Sequence, residues 1–140
     1  MQDIIIFINH HPLLTIAAAI LFISLFIVEF IRNKRSTFNL SPADATRLIN
    51  YQNAVVIDVR PKEAYRKGHI VNAYSMTIDD IKNSPKKIEK FKNKPIILVC
   101  GTGQESPKIA AALLKQGYNT YSLAGGMRAW SNADMPLVRE

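Results

Sequence analysis

Hydrophobic positions fall into two regimes along this chain. Over residues 13–31 they are nearly continuous, LLTIAAAILFISLFIVEFI, with Glu29 the only charge. A helix over this stretch spans about 28 Å, close to the hydrocarbon thickness of a bilayer, and it has no polar side to show water. Pro12 suits its first turn, where a missing N–H costs nothing. Beyond residue 36 the pattern changes to short apolar runs that alternate with periodic, mixed stretches.

Each of those runs predicts an element. Residues 37–40 read as a short strand. Ser41 and Pro42 then open a helix, Ser as N-cap and Pro at the first helical position, with Asp44 in the first turn and Ala45, Leu48 and Ile49 facing inward. A break is expected over residues 50–53. The run AVVIDV over 54–59 is β-branched and continuous, as in a central parallel strand buried on both faces. Residues 60–67 are charged and predict a helical turn, closed by Gly68, His69 and Ile70 before a short strand over 73–76. One or two helical stretches fit 77–94, with Ile78, Ile81, Ile88 and Phe91 pointing inward. Ile96 to Val99 form a buried strand that ends at Cys100; a glycine-containing turn leads to a helix from Pro107, with Gly117 as its C-cap. Thr120 to Leu123 make a last strand, Gly125 and Gly126 turn the chain into a helix carrying Trp130, and Pro136 begins a tail. Strands alternating with helices across short turns predict an α/β domain with a parallel sheet flanked by helices.

At 140 residues, 48% of them hydrophobic, the chain holds one domain of about 100 residues and an appendage. Its single cysteine excludes an internal disulfide and a cysteine-rich metal site, so Cys100 acts, if at all, as a free thiol in a reducing compartment. His10 and His11 are adjacent and His69 stands alone, which leaves no metal-ligand spacing. The formal charge of +7 and pI near 9.7 raise nucleic acid as a partner. The excess, however, is placed next to the apolar run, at Arg32, Lys34 and Arg35, and in one connecting stretch, at Lys82, Lys86, Lys87, Lys90, Lys92 and Lys94. Such placement reads as membrane-surface charge, and no interleaved aromatics or binding motif support nucleic acid. Asp3, the lack of Lys or Arg before the apolar run, and the lack of an A-x-A site after it oppose a cleaved signal peptide. The expected layout is a short extracytoplasmic N-terminus over 1–12, a single transmembrane helix over 13–31 in the bilayer, a basic linker over 32–37 and a cytoplasmic domain over 38–140, oriented by the positive-inside rule.

Cys100 sits at the carboxyl end of a strand and faces the start of a helix, the place where open α/β sheets keep their chemistry. Three motifs surround it in sequence: VVIDVRPKEAYRKGHIVNA over 55–73, CGTGQES over 100–106 and LAGGMRAW over 123–130. In order and spacing they resemble the rhodanese family, and the resemblance runs from Phe38 to the end of the chain. With the apolar segment ahead of it, the layout is similar to membrane-anchored single-domain rhodaneses of the bacterial inner membrane. The resemblance implies a small α/β fold, and no cofactor is expected. It also implies transfer of sulfane sulfur through a Cys100 persulfide, from thiosulfate or another persulfide to a thiol acceptor. The family's usual loop has cysteine first, glycine fourth, arginine sixth and serine seventh. Here Cys100, Gly103 and Ser106 match, and Glu105 stands in the arginine's place. The rest of the substrate-binding loop is then Gly101, Thr102 and Gln104, with Asp58, Arg60 and His69 as supporting residues behind it.

The loop's chemistry can be read directly. A thiolate or persulfide leaving water needs donors; a turn can aim successive N–H groups at it, and the following helix adds its positive end. Gly101 and Gly103 permit positive φ angles, and Ser106 is expected as N-cap and as a donor to the sulfur. Two orientations of Glu105 are open. Turned inward at about 5 Å, with an effective dielectric of about 20, it would repel the thiolate by about 3 kcal/mol, or about two pKa units. Turned outward, it would be screened and would favour the helix start. Two functions follow: a sulfurtransferase, or a non-catalytic binding module that recruits a membrane-protein partner. Phosphatase or arsenate-reductase chemistry is disfavoured, since those loops clamp an oxyanion with an arginine.

Overall fold

The computed structural model describes residues 1–36 and 38–140, the side chains of 32–36 excepted. They form two compact units, Met1–Ser36 and Thr37–Glu140.

The first unit holds two helices, α1 (Gln2–His10) and α2 (Pro12–Ser36). The segment over 1–12 is therefore itself helical, with Asp3 in its first turn and exposed Ile4, Ile5, Ile6, Phe7 and Ile8 along it. His11 breaks the pair at φ −130°, ψ 59° because the residue before a proline is pushed out of the helical region. Pro12 then starts α2. Residues Pro12–Ile31 have a mean hydropathy of 2.6 with none buried, long and apolar enough to cross a membrane.

The second unit contains β1 (Asn39–Leu40), α3 (Pro42–Gln52), β2 (Val55–Asp58), α4 (Lys62–Lys67), β3 (His69–Ile70), β4 (Tyr74–Ser75), α5 (Ile78–Asn83) and α6 (Lys86–Glu89). It continues with β5 (Ile96–Val99), α7 (Ser106–Lys115), β6 (Thr120–Leu123), α8 (Gly126–Asn132) and β7 (Leu137–Val138). Five strands make an all-parallel sheet in the order β1-β6-β5-β2-β4. Because side chains alternate across a strand, the continuous apolar runs feed two cores. Val55, Ile57, Ile96 and Leu98 pack on one face with Ile81, Ile88, Phe91 and Leu113. Val56, Ile97, Val99 and Leu123 pack on the other with Ala45, Met127 and Trp130. Cys100 continues the alternation of β5 and joins the first face, beside Ala110 of α7.

Four expectations change, the first being the strand placed over 73–76, which is only Tyr74–Ser75. The strand placed over 37–40 is only Asn39–Leu40; Thr37 lies outside the described residues. The break expected over 50–53 comes later: α3 runs through Gln52 and is stopped by Asn53 in the left-handed region (φ 52°, ψ 40°), a conformation that asparagine tolerates. The tail after Pro136 is ordered as β7, antiparallel to β3 through His69↔Val138 and Ile70↔Leu137, and the Trp130 indole donates to Pro136 O at 3.1 Å.

Candidate active site

The site forms where β5 ends and α7 begins. Cys100 is 3% exposed, and the loop returns over its sulfur. Gly103 N–H donates to Sγ at 3.1 Å, and Ser106 Oγ lies 3.3 Å from Sγ. Burial pushes the thiol pKa up. The Ser106 hydroxyl, and the N–H groups of Ser106, Glu105 and Gly103, outweigh it and bring the pKa below its ordinary value. Donors aimed at a sulfur stabilise its charged form more than its neutral one.

Ser106 departs from its expected role. It is the first residue of α7, and Glu105 takes the capping position with helical angles (φ −88°, ψ −39°) and no side-chain cap. The Ser106 hydroxyl faces the sulfur and, at 2.7 Å, Ser122 Oγ of β6. Of the two loop glycines only Gly103 has positive φ, at 80°. Gly101, Thr102 and Gln104 are exposed.

What holds the loop in place comes from α8, a contribution that sequence reading did not assign. Met127 N–H donates to Cys100 O at 2.9 Å and Arg128 N–H to Gly101 O at 3.1 Å. This approach needs bare backbone on both sides. A Cβ on Gly126 would meet Cys100 O at 2.2 Å, and one on Gly103 would meet Gly125 N at 2.6 Å. The double glycine of LAGG was the available signal.

The Glu105 side chain is exposed. It lines an open apolar groove of about 650 Å³ with Ile81, Ile88, Ile109, Leu113 and Lys108, and it reaches the sulfur only through its backbone N–H. The outward orientation is the one adopted. Among the described residues no ion pair joins it to Lys108.

Asp58, Arg60 and His69 are organised around each other's loop rather than around the sulfur. Asp58, 1% exposed, accepts from Arg60 Nε at 3.0 Å and Arg60 Nη2 at 2.7 Å, and Nη2 also donates to Gly68 O at 2.7 Å. His69 stacks on Tyr65, with 3.8 Å between ring centroids, and its Nδ1 lies 2.9 Å from Tyr65 O. The Tyr65 hydroxyl donates to Ala73 O at 2.7 Å. Together they tie α4 and the turn after β3 to the end of β2.

The sequence profile of the rhodanese-like domain matches residues 41–133. The chain belongs to the rhodanese-like domain family. It is similar over 99% of its own length, and 99% of the other's, to the uncharacterized protein YibN of Escherichia coli K12, at 36% identity. A thiosulfate sulfurtransferase, GlpE of Coxiella burnetii, is 32% identical over 92 residues, 65% of this chain and 84% of GlpE. A rhodanese-like domain protein from Staphylococcus aureus superposes with TM-score 0.61 at 28% identity, covering 73% of this chain and 97% of that one. The rhodanese-like fold, a parallel sheet flanked by helices, is thus reached from the profile, the relatives and the topology alike.

Proposed function

We propose that this rhodanese-like protein is a membrane-anchored sulfurtransferase that carries sulfane sulfur on Cys100. The observation that carries this reading is the buried sulfur ringed by Gly103 N–H and the Ser106 hydroxyl, with its pKa held below the ordinary thiol value. In the step envisaged, the Cys100 thiolate attacks the outer sulfur of a persulfide donor. A new S–S bond forms, the donor's S–S bond breaks, and the donor leaves as a thiolate. An acceptor thiolate then takes the outer sulfur, and Cys100 is released as thiolate. The thiosulfate sulfurtransferase relative supports the same class of reaction. The apolar helix Pro12–Ile31 supports a single-pass anchor, and the basic residues after it support a cytoplasmic domain at the inner membrane.

The donor is inferred to be a persulfide in preference to thiosulfate. The loop offers neutral N–H and hydroxyl donors, while the family's arginine position holds an outward carboxylate. Thiosulfate is a dianion and would lack a fixed cation to meet it. Replacing Glu105 by Arg is therefore expected to raise the rate of Cys100 loading from thiosulfate roughly tenfold, the effect of about 1.4 kcal/mol in a barrier. Loading from a small alkyl persulfide, which has no sulfonate group to meet the new cation, should change less. Single-turnover loading followed by mass spectrometry measures both. A fall in thiosulfate loading in Glu105→Arg would mean that the carboxylate assists the loop.

A further inference from the structure

Ser122 is a fully buried hydroxyl in the middle of an apolar layer, at 0% exposure on β6. A buried hydroxyl needs a partner, and this one meets Ser106 Oγ at 2.7 Å. Two residues earlier on the same face of β6, Thr120 Oγ1 donates to Ala110 O of α7 at 2.6 Å. Thr120 and Ser122 share a strand face, and Ser106 and Ala110 are one turn apart on α7. The polar face of β6 therefore stitches α7 to the sheet at two points. The first is a structural hydroxyl-to-carbonyl bond. The second ends in a hydroxyl that itself lies 3.3 Å from the Cys100 sulfur.

We propose that Ser122 is a positioning residue for the sulfur chemistry, acting through Ser106. When Cys100 is a thiolate, Ser122 O–H donates to Ser106 Oγ and Ser106 O–H donates to the sulfur. When Cys100 is protonated, S–H donates to Ser106 Oγ, and Ser106 O–H turns to Ser122 Oγ. The three groups satisfy each other in both states, and the chain reverses direction with the charge on sulfur. The charged state gains more, because a hydrogen bond to an ion is stronger than one between neutral groups and a polarised chain strengthens it further. Ser122 thereby favours the nucleophilic form without touching it.

Charged side chains on the surrounding elements are placed elsewhere. Asp58, at the end of β2, is clamped by Arg60; Glu105 at the end of the loop and Arg128 on α8 are exposed. The inference rests on the sulfurtransferase function only for its consequence in sulfur transfer; the acidity of the thiol is read separately.

The test is the pH profile of Cys100 alkylation by iodoacetamide in the full-length protein in detergent micelles, run beside sulfur loading from a small-molecule persulfide. Ser122→Ala is expected to raise the alkylation midpoint by about half a pKa unit, and in a Ser106→Ala background to raise it no further. Ser122→Thr and Ser122→Val add the same bulk and differ in the hydroxyl, so the Thr variant should titrate below the Val variant whatever the added methyl does to packing. Loading by Ser122→Ala should lag at low pH and converge on the wild-type rate above the shifted midpoint. An unchanged midpoint in Ser122→Ala would overturn the proposal. So would a full additional shift on top of Ser106→Ala, or equal midpoints for Thr and Val. If no variant, wild type included, loads sulfur, the sulfurtransferase function fails while the alkylation profiles still decide the role of Ser122.

Discussion

Gly126→Ala is expected to destabilise the rhodanese-like domain by roughly 3 kcal/mol or more. Gly126 has φ 57°, where a side chain is strained. The added Cβ would fall 2.2 Å from Cys100 O, 2.8 Å from Gly103 N and 2.9 Å from Gly101 C. All three are backbone atoms of the loop, so no rotamer change relieves the overlap and the loop itself has to move. That displacement breaks the Met127 N–H bond to Cys100 O and withdraws the N–H groups that hold the thiol acidic. The expected result in denaturant unfolding of the full-length protein is a lower midpoint for the domain, and in the surviving folded fraction an alkylation midpoint moved toward that of an ordinary thiol. Gly101→Ala serves as the comparison. A Cβ there meets nothing within 4 Å, and its effect should be small.

Asp58→Ala is the second large effect, expected at on the order of 3 kcal/mol, because removing one partner of a buried pair leaves the other's charge uncompensated. Asp58 is 1% exposed and the Arg60 side chain 15% exposed, and the carboxylate receives the Arg60 backbone N–H at 3.0 Å as well as the guanidinium. In a domain of this size such a loss lowers the melting temperature by more than about 10 °C. At a temperature where the variant remains folded, Cys100 should alkylate with an unchanged pH profile, since the pair anchors Gly68 and not the sulfur. A shifted profile would place Asp58 in the sulfur chemistry.

Much of this architecture could be read from the chain because local signals agreed with tertiary ones. AVVIDV and IILV are continuous β-branched or apolar runs, and both became central strands buried on two faces. Ser41 and Pro42 capped and opened α3 as their chemistry requires, the Ser41 hydroxyl accepting from Asp44 N–H. Gly117, at φ 92°, closed α7 from one residue beyond the cap Gln116, with the paired bonds from Tyr118 N–H to Leu113 O and Gly117 N–H to Leu114 O.

The features that escaped depend on what a segment meets far along the chain. Leu137 and Val138 are strand residues only because β3 offers an edge, which no local pattern announces. The helix α1 was hidden by its brevity and by the proline that separates it from α2. Glu105 and Ser106 show the finest limit. Whether Ser106 caps the helix or begins it is a matter of one residue, and that residue decides that its hydroxyl meets sulfur and Ser122 while the Glu105 carboxylate turns to the groove.

Sulfur carriage by Cys100 is tested most directly by mass spectrometry of the protein, in detergent micelles, after exposure to a small-molecule persulfide under reducing-agent-free conditions. One added sulfur is expected, located on Cys100, absent in Cys100→Ser, and lost on addition of a thiol with the sulfur recovered on that thiol. An unmodified Cys100 with every persulfide donor, in protein whose thiol nevertheless alkylates as a low-pKa group, would rule out sulfur carriage on this residue.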